Sequence, residues 1–231
     1  MANPYFRQLP SLEYISRLPD AKIGDYIEVK NIFKRGNIRP DIFNNVVFFE
    51  KYKIDGDDRP DNVAFKVYDD STLDWVILLS NNIVNIQTEW PLTQTSFDIY
   101  LKEKYGVGLT SEESIYNNIY NGIHHYETKE VKNSQGVVMV PAGLEVQDGY
   151  SVNYFDYFID SQVSTGNIAI PVSNYDYEEN LENNKRNIYL LKPRYLNIVL
   201  NDIKDLMEYK EGSSQYKTET LKTADNIRLY T

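Results

Sequence analysis

The side chains best suited to chemistry are few in this sequence. His124 and His125 are its 2 histidines. They are adjacent on an expected strand, where successive side chains point to opposite faces, so the pair is not expected to share a metal ion. With 0 cysteines, disulfides, thiolate metal sites and cysteine nucleophiles are excluded. Asp55-Gly56-Asp57-Asp58 has the opening of a calcium loop, but an EF-hand needs Gly at its sixth position and Glu at its twelfth. Pro60 and Lys66 stand there instead. Gly106-Val107-Gly108 lacks the third glycine and the preceding strand of a phosphate-cradling turn. No G-x-S-x-G, H-E-x-x-H or P-loop pattern occurs. The 34 acidic residues could supply a glycosidase-like carboxylate pair, because sequence does not fix their separation. The expectation is nonetheless a chain that is not an enzyme, with no catalytic, cofactor-binding or metal-binding residue.

The stretch from Val46 to Trp90 is the most informative. Val46–Ile54 is β-branched and aromatic, a strand by composition, and Gly56-Asp57-Asp58 ends it as turn residues do. Pro60 fits the first turn of a helix, and Asp61 places a carboxylate near its positive end. Val63, Ala64, Val67 and Tyr68 then form one apolar face about two turns long. Asp69-Asp70-Ser71 breaks that helix and caps a second one carrying Leu73, Val76, Ile77 and Leu79. Asn81-Asn82 can leave it in the left-handed conformation that Asn tolerates.

These residues, in this order, resemble a LysM-like module, in which two short helices pack on a small antiparallel sheet. More narrowly, Arg59, Pro60, Val63, Ala64, Val67, Tyr68, Leu73, Trp75, Val76, Leu78 and Asn81, with Trp90 and Thr93 beyond, resemble the wedge subunit fifty-three family of T-even-type contractile-tailed bacteriophages. A second block, Glu182–Arg186 followed by Ile188–Leu191 and Asn197–Met207, is similar to the C-terminal part of that family. The resemblance implies a structural subunit of a tail baseplate that contacts neighbouring wedge proteins and helps join six wedges into a ring. It places the protein in the virion, assembled in the host cytoplasm. Glycan binding, as of peptidoglycan by other LysM-like modules, is the alternative.

Around this module, residues 1–45 are broken by Pro4, Pro10, Pro19 and Pro40 and read as an arm, in which Asp25–Phe33 is a strand or an amphipathic turn. The module itself is taken as 46–92. A helical segment follows over 93–122. Phe97, Tyr100, Leu101 and Tyr105 share one face there, and Thr110-Ser111-Glu112-Glu113 reads as a capping box for a second helix. Residues 123–172 read as an inserted β-meander, with Tyr150, Tyr154, Phe155, Tyr157 and Phe158 covering one sheet face or, as the second choice, forming a binding surface. Over 173–212 come a solvated polar helix capped by Ser173-Asn174, a short strand at Asn187–Lys192, and the clearest amphipathic helix, Tyr195–Lys210. In the last, Leu196, Val199, Leu200, Ile203, Leu206 and Met207 form one continuous stripe. Residues 213–231 read as a polar tail whose Ile227, Leu229 and Tyr230 order on a partner.

The fold class expected is therefore α+β. At 231 residues and 42% hydrophobic content a packed core is attainable. No run of about 18 apolar residues spans a bilayer, and no leader pattern opens the chain. A formal net charge of −10 repels phosphate backbones, so neither a membrane nor nucleic acid is an expected partner. The 20 tyrosines suit wet protein interfaces, although a compositional bias explains them as well. Candidate contacts with partner proteins are Trp90 and the stripe residues Leu196, Val199, Leu200, Ile203, Leu206 and Met207.

Overall fold

Strands and helices are mixed along the whole chain, in an α+β fold. The computed structural model describes residues 4–22, 24–212 and 214–223. They divide into two units, one taking the chain up to Trp90 and resuming at Arg186, the other spanning Pro91–Lys185.

The first unit opens with α1 (Tyr5–Gln8), β1 (Ser11–Ile15) and β2 (Tyr26–Lys30), the two strands pairing antiparallel with Leu12 opposite Val29 and Tyr14 opposite Ile27. One turn of helix, α2 (Pro40–Phe43), starts on a proline whose missing N–H has no intrahelical partner to lose. The strand expected from Val46 begins three residues later as β3 (Phe49–Lys53), because the Asn45 side chain accepts the Val47 N–H at 3.0 Å and winds Val46–Phe48 into a 3-10 turn. α3 (Pro60–Tyr68) again starts on proline and buries Val63 and Ala64 completely. It stops at Asp69, which adopts the left-handed conformation with φ 56°. Asp70 then accepts the Thr72 N–H at 2.9 Å, and a 3-10 turn leads into α4 (Asp74–Ser80). Of the two asparagines after α4, Asn82 takes the left-handed backbone, with φ 53°. The single turn α5 (Ile86–Glu89) precedes Trp90.

The second unit begins with α6 (Gln94–Tyr105), capped by Thr93, and α7 (Glu112–Tyr120). The cap of α7 is Ser111, one residue later than the capping-box pattern placed it: its hydroxyl accepts the Ser114 N–H at 3.2 Å. The two helices share a small core of Phe97, Leu101 and Ile119. The β-region runs as β4 (Ile123–Thr128), β5 (Val131–Lys132), β6 (Val138–Val140), β7 (Glu145–Val146), β8 (Val152–Asp156), β9 (Ser161–Thr165) and β10 (Ala169–Ser173). These strands form a three-stranded sheet in the order β10-β4-β7 and two separate hairpins, β5-β6 and β8-β9. Their core is small, Val131, Val140 and Ile168 with Val152 and Tyr154 against them. Asp156 ties the hairpins together by accepting the N–H groups of Ser134 and Phe158, each at 3.0 Å. Those backbone hydrogen bonds hold its carboxyl below the usual range.

Three expectations are corrected in this unit. Tyr150, Phe155, Tyr157 and Phe158 are exposed, at 41%, 44%, 88% and 71%, so they do not cover a sheet face, and of the five only Tyr154 packs on the small core. The strand pairing shifts register between Val172 and Ser173, opposite His125 and Ile123. There the two histidine rings lean together, with their Nδ1 atoms 2.9 Å apart, contrary to the opposite-face reading. The third concerns α8 (Asn174–Lys185), expected to be solvated, which buries Asn174, Glu178 and Glu182. Glu178 accepts hydrogen bonds from Tyr105 at 2.7 Å and Tyr100 at 3.2 Å and pairs with Lys104 at 2.5 Å. Burial alone raises its pKa, but the hydrogen bonds from Lys104 and Tyr105 outweigh that and hold it below the ordinary carboxylate value.

The chain then returns to the first unit as β11 (Asn187–Leu191), α9 (Pro193–Met207), β12 (Tyr216–Thr218) and β13 (Leu221–Thr223). β11 runs antiparallel to β3, with Asn187 opposite Lys53 and Leu191 opposite Phe49. The partner strand of β3 thus comes from outside the segment 46–92. Ile188 and Leu190 on one face of this ribbon, and the Phe49–Leu191 pair at one end of the other, are covered, while Lys51, Lys53 and Tyr189 lie exposed. Ile188 and Leu190 pack with Ile54, Val63, Ala64, Ile77 and Trp90. Phe49 and Leu191 pack with Leu73, Trp75 and Val76 of the α4 region and with Val199, Ile203 and Met207 of α9. Full burial of each such side chain contributes about 1.5–3 kcal/mol. The start of the tail is ordered by pairing: β13 runs parallel to β1, giving a four-stranded sheet β12-β13-β1-β2. Ile227, Leu229 and Tyr230 lie outside the described residues. No helix of the described residues is long and apolar enough to cross a membrane.

Candidate protein–protein interface

The helix α9 shows how one sequence pattern divides between core and surface. Pro193 starts it, Lys204 lies in its last turn where a cation meets the negative end of the helix, and the apolar residues recur every three or four positions. Val199, Ile203 and Met207 are buried in the first unit's own core, with Leu196 and Leu200 partly buried beside them. Leu206 is 47% exposed. Trp90 is also buried, and its indole N–H donates to the Asp58 carbonyl at 3.0 Å. Of the seven candidate contact residues, Leu206 is therefore the one presented broadly to solvent, and Ile198, not in the stripe, joins it at 45% exposure.

Leu206 lies on the wall of a cleft of about 560 Å³, formed by the C-terminal half of α9, the 34–39 loop and the tail hairpin. Its lining mixes Lys34, Arg39, Lys210 and Lys222 with Asp202, Asp205 and Glu208, and with the rings of Tyr209 and Tyr216. Lys34 reaches across to donate to the carbonyls of Met207 at 3.0 Å and Glu208 at 2.7 Å, satisfying backbone oxygens at the helix end. Burial lowers its pKa. Arg39 pairs with Asp41 at 2.9 Å and approaches Asp202 at 3.4 Å. The Asp202 Oδ2 atom is buried without a hydrogen-bond partner among the described residues. Aromatic rings, aliphatic surface and charges of both signs at the rim of a concavity are the makings of a protein contact.

Nothing in the described residues gathers three His, Cys, Asp or Glu side chains to hold a metal ion. The closest approach to a site is the pair His124 and His125, where His125 also contacts Glu127 at 3.0 Å and the His124 ring stacks on Tyr177 at 3.8 Å. Those contacts use the ring atoms for packing and for bonds to each other. The β2 strand is a surface that periodicity left ambiguous. Tyr26, Ile27 and Val29 are 46%, 41% and 36% exposed, and Ile32 and Phe33 beyond it 69% and 90%. Its alternation was visible in the sequence, but that the strand would stand at a sheet edge was not.

A search among curated proteins finds no match. The family model described as Base plate wedge protein 53 matches residues 5–208, which takes in both blocks of resemblance and everything between them. A match over most of the chain places it by family, and the chain belongs to the phage base plate wedge protein 53 family, as a structural protein of the tail baseplate.

Proposed function

We propose that the first unit is the part that fastens this subunit to neighbouring wedge proteins, through the cleft beside α9. The observation that carries the reading is Leu206, an exposed leucine on a helix whose other stripe residues are committed to the core, set among seven charged side chains. An apolar anchor inside a ring of polar groups is the arrangement of an interface hot spot. Within the same reading, β3, α3, α4 and β11 make a LysM-like βααβ module whose second strand is supplied after an insertion. The antiparallel β3–β11 pairing, with α3 and α4 following β3 in the chain and packing against Ile188 and Leu190 of β11, supports this. The module serves as the rigid platform for α9, and several copies, six per baseplate, help close the ring of wedges. Assembly takes place in the host cytoplasm before the tail is complete.

Co-expression with the other wedge proteins of the same phage, followed by sizing, tests the reading. Leu206→Asp places a charge at the anchor without touching Val199, Ile203 or Met207. It is expected to leave the unfolding transition unchanged and to weaken co-elution at least about tenfold, as loss of an interface anchor worth more than about 1.4 kcal/mol does. Undiminished co-elution of this variant contradicts the reading.

A further inference from the structure

The outer strand of the arm-and-tail sheet has an open side. Among the described residues β2 pairs with β1 alone. The bonds from Asn31 N–H to the Pro10 carbonyl and from Ser16 N–H to the Asp25 carbonyl, both 2.8 Å, bracket the hairpin. Within the register between them, the hydrogen-bonded pairs are Leu12–Val29 and Tyr14–Ile27. The N–H and carbonyl of Glu28 therefore point away from β1 into open space. Such an edge is a template for another strand unless something protects it. This one carries exposed Ile27 and Val29 on one face, with no proline, no bulge and no covering helix among the described residues.

Charge says what kind of strand fits. Glu28 stands directly opposite Glu13 on β1. Glu13 is paired with Lys217, whereas Glu28 has no ion pair with a described residue. Two facing carboxylates destabilise the pair, and a cation on the free side of Glu28 offsets that. A second copy of this chain is poorly suited to supply one: antiparallel self-pairing centred on Glu28 sets Glu28 against Glu28, and pairing centred on Val29 calls on Lys30, whose ammonium already donates to the Leu9 carbonyl at 2.8 Å.

We infer that the β2 edge accepts an extended segment of a different wedge protein, with Lys or Arg opposite Glu28 and apolar residues opposite Ile27 and Val29. The main chain supplies the affinity and the alternating side chains the choice of partner. This inference rests on the assembly role proposed above, and it uses a different surface from the α9 cleft.

Hydrogen exchange read at single amides, on the full chain alone and in the co-expressed wedge complex, tests it. In the free chain Ile27 and Val29 are expected to be protected and Glu28 to exchange freely. In the complex the Glu28 amide slows by at least about tenfold. Glu28→Pro removes the outward N–H and leaves the bonds to β1, since proline is tolerated at an edge whose N–H faces solvent. It is expected to keep the free chain's protection pattern and lose the new protection in the complex. Glu28→Lys, which keeps the backbone donor, reverses only the charge and is expected to weaken co-elution. A Glu28 amide already protected in the free chain means the edge is covered internally and overturns the inference. So does a complex that forms with Glu28 still exchanging freely, or one that tolerates both substitutions. Failure of the unaltered chain to enter any complex overturns the assembly reading, and this inference with it.

Discussion

The helices α8 and α9 are anchored by opposite means. α9 presents an apolar stripe and is held by Val199, Ile203 and Met207 in a core drawn from eight other buried residues. α8 carries one leucine, Leu181, which is 40% exposed. Apart from Tyr175, which packs on Phe97 and Tyr120, it is held by buried carboxylates. Glu178 gathers Tyr100, Tyr105 and Lys104, and Glu182 accepts the Leu92 N–H at 2.8 Å and pairs with Lys185. A stripe of leucines announces its partner by spacing alone. A carboxylate announces nothing, because its usual place is in water and only the arrival of three donors from another helix makes burial tolerable.

The largest effect that separates the two is expected in α9. Ile203→Ala leaves a cavity among Val199, Met207 and the β11 side, and should cost about 2–5 kcal/mol. The corresponding change in α8, Leu181→Ala, should stay within about 0.5 kcal/mol, as surface substitutions do. Denaturant unfolding followed by residue-resolved hydrogen exchange assigns each loss to its own unit. Equal losses at the two sites would erase the contrast.

Next comes Glu178. Glu178→Gln keeps the shape but removes the charge that Lys104 and the two tyrosine hydroxyls bind, and should cost about 1–3 kcal/mol. The same pair raises the pKa of Lys104, chiefly through the hydrogen bond to Glu178, and burial together with Tyr105's own hydrogen bond to Glu178 pushes the Tyr105 hydroxyl up to about 12. Because the folded pKa of Glu178 is depressed, its contribution is complete above the unfolded value of about 4.3 and is lost as pH falls through the lower folded value. The second unit should therefore weaken in that acid window, with a shallower slope in the Gln variant. An unchanged slope would mean that other carboxylates carry the acid sensitivity.

The smallest effect sharpens the comparison at the helix starts. Ser173 accepts the Asp176 N–H at 3.0 Å and caps α8, whereas α9 begins on Pro193 with no side-chain cap. Ser173→Ala should cost about 1 kcal/mol, read as a lower midpoint of the second unit.

The same contrast explains what could be read before the structure. The helices at Pro60–Tyr68 and Gln94–Tyr105 and the stripe of α9 follow from local periodicity and caps; the first two form within a residue or two of expectation, whereas α9 starts two residues before the expected Tyr195 and ends three before the expected Lys210. What escaped depends on residues far apart in sequence. β3 waits for β11, more than a hundred residues later, and β1 pairs with β13 from the tail. The histidine pair escaped because alternation is a property of regular strands, and the register shift beside His125 suspends it. Among the contact candidates, spacing located the stripe of α9 but gave no way to tell Leu206 on its rim from Ile203 at its centre.

Imaging of the isolated baseplate at side-chain resolution tests the central claim most directly. The account predicts the α9 cleft, with Leu206 on its wall, covered by a neighbouring wedge protein. A baseplate in which that cleft faces solvent, with the neighbours held elsewhere on the chain, would contradict it.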